Sequence, residues 1–537
     1  MNKQNITLKS IISKQDLEIL SHLNENNLTS KDLIIFLKSH FNISSSTDLE
    51  TITSYKQDSS NMKGIANGLL KPKNDKECAI ILYACKKNNT TITISAGRTS
   101  LNGGATPNGG IIISIEKMIL PKIKINLKNK TVKSPVGIFL EDLRQEVLNQ
   151  SQKKLYYPVD PTSRKEALVG GTLACNASGF IPGNEGATRF WVEGIDFITP
   201  DGYKVSCNRN QHLSKNGQFI LNYPNKKIVL PVLTYARPKI KNASGPFSSD
   251  DGKVDLVDFM IGSEGIFGII TKVTFNLKKM PNDFLNLFFT LPKEKNAIAF
   301  HKYLSDHFNG NLSKITALEY FGYNSQNYMN RRNELFSNKN EVGIYLQIPL
   351  YKSSIEKIAD KWFNILKKSN CKIHLQKILI LNDPTNWRMF FEARHSIPVN
   401  ALNKTRRLNT ISILTDTIVP PENFSSFLNF AHKELKNAKI EYLLFGHLGD
   451  CHLHFHLIPT KRQQKKALAV YDKIVKISAE LGGIYSAEHG TGKRKINDFI
   501  ECFSKDAVLQ INNIKSILDP NFLLNRGNII SYKSIQK

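Results

Sequence analysis

Apolar residues along this chain recur with two different periods. Residues 75–87 set Ala79, Ile80, Leu82, Tyr83 and Cys85 on one side of a 3.6-residue repeat, which predicts a helix. The β-branched run 91–95 follows as a predicted strand, and a glycine-rich loop comes directly after it. Further strands are expected at 110–115, 192–199, 203–206 and 268–275, with a turn at Asp201 and Gly202. Helical patterns at 14–23 and 30–41 precede this series among polar linkers. Beyond about residue 281 strands and longer helices alternate, at 284–291, 295–308, 343–350, 353–368, 411–419, 421–435, 440–445 and 463–481. Short strands and small-residue loops followed by such layers predict an α+β protein.

The texture divides the 537 residues into four segments. Residues 1–50 read as a helical N-terminal extension that packs on something larger, 51–280 as a strand-and-loop domain, and 281–500 as an α/β layer domain. Residues 501–537 read as a tail, with Asp519 to Gly527 a closing loop. A hydrophobic fraction of 41% with 22% charged residues suits a chain with a full core. The net charge of +27 comes from lysine spread along the whole length, which describes a basic surface rather than one patch. Such a surface attracts anionic substrates or an anionic membrane face. No zinc-finger spacing, basic heptad region or RNA-binding signature accompanies the charge, which argues against a nucleic-acid partner.

The seven cysteines are scattered and form no Cys-x-x-Cys pair, so neither an iron–sulfur cluster nor a zinc ribbon is encoded by spacing. Scattered thiols suit a reducing compartment. The N-terminus lacks the apolar core of a signal peptide, and no apolar run approaches the ~18 residues of a membrane span. A soluble cytoplasmic protein is expected, with a peripheral contact at the inner face of the membrane left open.

Four loops combine glycine with hydroxyl and amide residues: SAGRTSLNGG at 95–104, VGGTLACNASG at 169–179, KNASG at 241–245 and IGSEGIFG at 261–268. Glycine lets successive backbone N–H groups approach a phosphate. Several such loops in series suggest one elongated anionic ligand threaded between them. Neither a Rossmann fingerprint nor a P-loop is present; Arg494 stands where a P-loop after Gly492-Lys493 requires Ser or Thr.

Two later segments carry candidate chemistry, FGHLGDCHLHFH at 445–456 and SAEHG at 486–490. On a strand, His452, His454 and His456 share one face while Leu453 and Phe455 take the other. With His447, Glu488 and His489 they supply groups able to hold a divalent metal and move a proton. The residues point to a metal-assisted enzyme.

The order of these segments, with PVDPTS at 158–163, GATR at 186–189 and LNRG at 524–527, resembles the FAD-linked oxidases of the vanillyl-alcohol oxidase, or PCMH-type, superfamily. The nearest branch holds D-lactate dehydrogenase, the glycolate oxidase FAD subunit and D-2-hydroxyglutarate dehydrogenase. The resemblance runs from about residue 55 to 528. It implies an FAD-binding domain of two α+β subdomains and an α/β cap domain over the flavin. Ala96, Gly97, Arg98, Thr99, Ser100 and Leu101 would cradle the pyrophosphate. Asp160, Ser163, Gly170, Gly171, Asn176 and Gly179 would line the flavin, Gly265 and Ile270 the adenosine side, and Asn525 would sit near the flavin ring. No histidine lies between Asn42 and Gln211, so a histidyl linkage from that segment is excluded and a non-covalent FAD is expected.

By the same resemblance His447, His454 and Glu488 would ligate zinc or manganese, His489 would act as general base, and Arg394 would grip a substrate carboxylate. The implied reaction is oxidation of a D-2-hydroxy acid, with electrons leaving to a quinone, an electron-transfer flavoprotein or another carrier. Three departures concern the substrate. His456 replaces a family asparagine that contacts substrate, so it enters as a switchable contact or extra ligand. Leu414 falls near the position of a lysine that binds a distal carboxylate in hydroxyglutarate-type enzymes, with Arg406 and Arg407 as substitutes from nearby. Pro398 stands where relatives carry a hydroxyl. Glu264 and Arg189 are read as local structural contacts. A sugar or aldonolactone oxidase and a non-redox alkylglycerone-phosphate-synthase-like enzyme are the rival readings. The latter branch carries a histidine run where this chain has Ala487, Glu488 and His489. A basic binding protein on a decayed flavin fold is a third.

Overall fold

The computed structural model describes residues 3–23 and 28–531. Residues 1–2 and 24–27 of the expected extension and 532–537 of the expected tail lie outside the described residues.

The first half of the chain builds two main sheets on one core, with a three-stranded and a two-stranded sheet beside them. A four-stranded sheet runs in the order Ser44–Ser46, Gly68–Lys71, Ile111–Ser114, Ile92–Ser95, and its last three strands are parallel. Parallel neighbours require a crossover, which the helix Asp75–Lys87 supplies between Gly68–Lys71 and Ile92–Ser95. Asn74 caps that helix, and Cys78, Ala79, Ile81, Leu82 and Cys85 face the core. A six-stranded antiparallel sheet follows in the order Lys9–Ser10, Tyr203–Asn208, Val192–Ile198, Ile269–Asn276, Thr131–Pro135, Lys124–Asn126. Asp75, at the start of the helix Asp75–Lys87, ties it to the second sheet: its carboxylate lies 2.5 Å from Lys204 and 2.8 Å from Lys272, both on that sheet.

The N-terminal segment is woven into this domain. Asn5–Thr7 pairs with Gln218–Asn222 and Lys9–Ser10 with the six-stranded sheet. Leu20, Leu33, Ile34 and Leu37 of its helices join the common core.

The second half folds around a seven-stranded antiparallel sheet, ordered Leu379–Ile380, Asp283–Leu291, Val342–Leu350, Ala317–Phe321, Glu441–His447, His452–Ile458, Ile413–Leu414. Helices Glu294–His307, Ile355–Lys368, Phe424–Asn437 and Gln464–Glu480 cover one face through Phe300, Trp362, Phe427 and Ile474. The helix Pro384–Arg407 packs on the other face through Met389, Phe390, Ala393, Ile397 and Ala401. It covers only part of that face, and the uncovered part looks toward the first domain.

The expected strand over 411–419 is the two-residue strand Ile413–Leu414 plus isolated bridges from Asp416 to Ser486 and from Ile418 to Ile484. The helix Ile496–Leu518, kinked at Ser504, occupies the first part of the segment read as a tail. The chain then returns to the first domain, where Ile92 N donates to Leu523 O and Asn525 N to Ile92 O, each at 2.8 Å.

Candidate active site

A cavity of about 880 Å³ separates the two domains. On the first-domain side it is lined by Ala96, Gly97, Arg98, Thr99, Ser100, Leu101, Asp160, Ser163, Gly170, Gly171, Gly179, Gly265, Ile270 and Asn525. The loop 96–101 leaves the end of strand Ile92–Ser95 with Arg98 in the left-handed region, at φ 58°. Among the described residues the backbone N–H groups of Arg98, Thr99, Ser100 and Leu101 donate to no protein oxygen. Four adjoining donors without acceptors, beside an elongated cavity of this volume, fit the phosphates of a dinucleotide. Asn525 accepts from Ile94 N at 2.7 Å and donates to Glu264 O at 2.6 Å, which closes the far end. A Cβ on Gly265, at φ 74°, would fall 2.4 Å from the Asn525 amide, so this closure needs glycine.

Asn176 does not border the cavity. It ends the helix Val169–Cys175 in the left-handed conformation, accepts from Arg189 N at 2.9 Å and donates to Asn242 O at 3.2 Å. Its role is to hold the cavity wall from behind. Arg189 itself is spent on Asp258 and the Ile261 carbonyl. Glu264 accepts from Thr491 N at 2.6 Å and Gly492 N at 2.8 Å, and burial pushes its carboxyl up to about 7.

The cap contributes a cluster of ligand-type groups. Strands Glu441–His447 and His452–Ile458 pair with His447 opposite His452 across a turn at 448–450. Leu453, Phe455 and Leu457 enter the helix-covered core, and the histidines take the face toward the cavity. Ligand atoms of His447, His452, His454 and Glu488 all lie within 4.8 Å of one another. His447 Nδ1 lies 2.7 Å from Glu319 Oε1, which leaves Nε2, 3.3 Å from Glu488 Oε1. His454 Nδ1 donates to Thr415 O at 3.1 Å, again leaving Nε2. His452 has no exposed surface; its Nε2 faces Asp416 Oδ1 at 3.2 Å, and its Nδ1 has no hydrogen-bond partner. Its Nδ1 lies 3.8 Å from Glu488 Oε1. A buried imidazole nitrogen without a partner, beside two further imidazoles and a carboxylate, fits a divalent metal. His452 therefore joins His447, His454 and Glu488, a fourth donor that the family pattern did not name.

Opposed charges around this cluster shift its titration. Burial raises the Glu488 carboxyl, but His447 and Lys241 beside it carry it well below the usual range. Burial lowers His447, yet Glu319 and Glu488 lift it well above its ordinary value. Burial, with His452 and His489 alongside, drives His454 well below. Lys241, from a loop of the first domain, is buried against Asp450 and lies 3.4 Å from Glu488 Oε1. It ties one domain to the ligand set of the other.

His489 lines the cavity and stacks on His454, with ring centroids 5.7 Å apart. Its Nδ1 lies 3.3 Å from Asp416 Oδ1. Asp416 is fully buried and accepts from Ser486 Oγ at 2.6 Å and from His489 N at 3.0 Å. Burial opposes ionisation of Asp416, and His489 with Lys495 holds it well below the usual carboxylate range. Arg394 also borders the cavity, 3.9 Å from Glu319 Oε2 and over the ring of Phe180. His456 is not brought to this space. It lies one cross-strand row further along the sheet, its Nε2 2.5 Å from Ser412 Oγ, and burial pushes it down to about 4. Arg406 and Arg407 end their helix exposed and away from the cavity.

Asp416, Glu319 and Lys241 are the site residues that sequence reading passed over. Asp416 and Glu319 are single charged residues in apolar runs, Lys241 heads the KNASG loop with nothing nearby to show its role, and the partners of all three lie far along the chain.

Two family profiles match the chain: the FAD binding domain over residues 66–208, and the C-terminal domain of FAD linked oxidases over 315–529. The chain belongs to the FAD-linked oxidases. It is 26% identical to a D-lactate dehydrogenase of Anaerostipes hadrus, over 86% of this chain and 89% of that protein. It is 24% identical to glycolate oxidase subunit GlcD of Bacillus subtilis (strain 168), over 87% and 90%. A D-2-hydroxyglutarate dehydrogenase of Xanthomonas citri pv. viticola is 24% identical over 81% and 83%. Among solved structures, p-cresol methylhydroxylase with substrate bound superposes with a TM-score of 0.65 at 12% identity, covering 98% of this chain and 99% of that one. An alkyldihydroxyacetonephosphate synthase reaches 0.64 at 15% identity, over 97% and 88%. Both show the same fold, a PCMH-type FAD-binding domain with a C-terminal cap. This FAD-linked oxidoreductase thus presents its cofactor cavity to the histidine face of the cap. Among the described residues no helix is long and apolar enough to cross a membrane.

Proposed function

We propose that this FAD-linked oxidase is a dehydrogenase that converts a D-2-hydroxy acid to the 2-oxo acid with the help of a divalent metal, zinc or manganese. The observation that carries the reading is the convergence of His447, His454, Glu488 and His489 on the cap face of the flavin cavity, with the buried His452 in the same ligand cluster. Imidazole and carboxylate suit either metal. Held there, the ion would lower the pKa of a 2-hydroxyl; bound FAD would take up the C2 hydride at N5.

The chain's own residues do the rest. Glu319 and the Thr415 carbonyl fix the tautomers of His447 and His454, so that each presents Nε2 to the ligand cluster. Asp416 holds Nδ1 of His489, which leaves Nε2 to receive the hydroxyl proton. Burial lowers His489 below its ordinary value, and Asp416 partly offsets this, so the ring is a neutral base at physiological pH. Arg394 offers a planar guanidinium to the substrate carboxylate. Lys241 keeps the two domains apposed over the reacting atoms. Electrons would then pass to a quinone, an electron-transfer flavoprotein or another carrier, and peripheral membrane contact would suit the first of these.

The test is the absorption spectrum of FAD-loaded protein mixed anaerobically with D- and L-2-hydroxy acids. Bleaching of the flavin band by a D-acid, abolished by chelation and restored by zinc or manganese, is the expected result. A flavin band that no hydroxy acid bleaches would sink the reading and turn attention to sugar or non-redox substrates.

A further inference from the structure

The cap wall of the cavity changes character from row to row across the seven-stranded sheet. Glu319, His447 and His452 stand in one cross-strand row. Phe321, Phe445 and His454 stand in the next, and Leu443, His456 and Leu414 in the one after. Successive rows on one face are two residues apart. The ligand groups thus end where an apolar surface begins. Phe321, Phe445 and Leu414 all border the cavity, and the helix Pro384–Arg407 sets Ile397 and Pro398 against the same space.

Cations are scarce on this wall. Among the described residues Arg394 is the one guanidinium that the cap brings to the cavity, and it lies beside Glu319 in the ligand row. His395 also borders it, but the ring is exposed and its Nδ1 is occupied by the Phe391 carbonyl at 3.0 Å. A carboxylate carried past the ligand rows would lose its water and find no cation in exchange.

Resting on the 2-hydroxy acid reading above, we infer that the substrate is a monocarboxylic acid with an apolar side chain larger than methyl, branched aliphatic or aromatic. Its carboxylate goes to Arg394, and its side chain seats against Leu414, Phe445 and Pro398. Leu414 weighs against a dicarboxylic acid, because past the ligand groups it offers the cavity an apolar side chain and no cation.

The experiment compares D-lactate, D-2-hydroxyisocaproate, D-phenyllactate, D-malate and D-2-hydroxyglutarate as reductants of the FAD-loaded protein. The expected kcat/KM for isocaproate or phenyllactate exceeds that for lactate by about 10-fold, the worth of a few buried methylenes. Both dicarboxylates fall about 100-fold lower, the penalty for an unpaired buried carboxylate. Calorimetric binding of the corresponding 2-oxo acids, which needs no turnover, follows the same order. Leu414→Lys reverses the preference between isocaproate and hydroxyglutarate; should that variant not fold, the panel on the unaltered protein decides alone. Preference for a dicarboxylate, or for lactate over both larger acids, overturns the inference and leaves the 2-hydroxy acid reading standing. Bleaching by none of the five overturns both.

Discussion

Asp416 Oδ1 lies 3.3 Å from His489 Nδ1, and the same oxygen lies 3.2 Å from His452 Nε2. One fully buried carboxylate therefore faces both the proposed base and an imidazole of the candidate ligand cluster. His489, which borders the cavity, is left with Nε2, and His452, which does not, is left with Nδ1, 3.8 Å from Glu488 Oε1.

Asp416→Asn should keep the fold and the flavin but lower kcat by about 100-fold, because the amide can stabilise the wrong tautomer of His489. His489→Ala should abolish turnover with FAD still bound. Rapid-mixing measurement of flavin reduction checks both, and loss of FAD in either variant would show that the residues are misplaced.

Metal removal has a separate signature. Dialysis against a chelator should leave the flavin spectrum in place while substrate no longer bleaches it. His452→Ala should weaken metal affinity by roughly 10-fold, and Glu488→Gln by more. Metal content by elemental analysis at graded chelator concentrations reads this directly; an unchanged affinity in His452→Ala would remove it from the ligand set.

On the proposed reading Arg394, which borders the cavity, grips the substrate carboxylate. Its replacement by Ala should cut kcat/KM by about 100-fold and by more than Arg394→Lys, since a point ammonium cannot bind bidentately. The FAD content of both variants should match the parent.

The tie that Asp75 makes to the six-stranded sheet of the FAD domain is pH-dependent. Burial alone would raise Asp75, but the ammonium groups of Lys204 and Lys272 hold it below the usual range. A carboxyl depressed in the folded state contributes stability above its unfolded pKa of about 3.9, and that contribution is lost as pH falls through the lower folded value. Asp75→Asn should therefore destabilise the protein by roughly 1–2 kcal/mol at pH 7. The difference should shrink as pH falls below that unfolded value and vanish once pH is below the lower folded one. Thermal unfolding of both proteins across that range checks the sign.

Periodicity and β-branched runs located most strands and helices of both domains, because those elements bury one regular face each. The helix Pro384–Arg407 escaped. Its buried positions Met389, Phe390, Ala393, Ile397 and Ala401 follow helical spacing, but exposed Trp387, Phe391, Val399 and Leu402 blur the stripe and Pro398 interrupts it. Those exposed apolar residues also hide the pattern that a half-covered helix would otherwise show.

By itself the sequence determined the kinds of chemistry present. The glycine loops, the alternating histidines of one strand and the Glu488-His489 pair are local, and local spacing suffices to put His452 and His454 on one face. Tertiary structure alone decided which groups meet. Cross-strand register sets His456 one row beyond the ligands, and a left-handed helix end turns Asn176 behind the wall. Asp416, Glu319 and Lys241 reach the cluster from distant segments, by pairing and domain contact that no short window of the chain encodes.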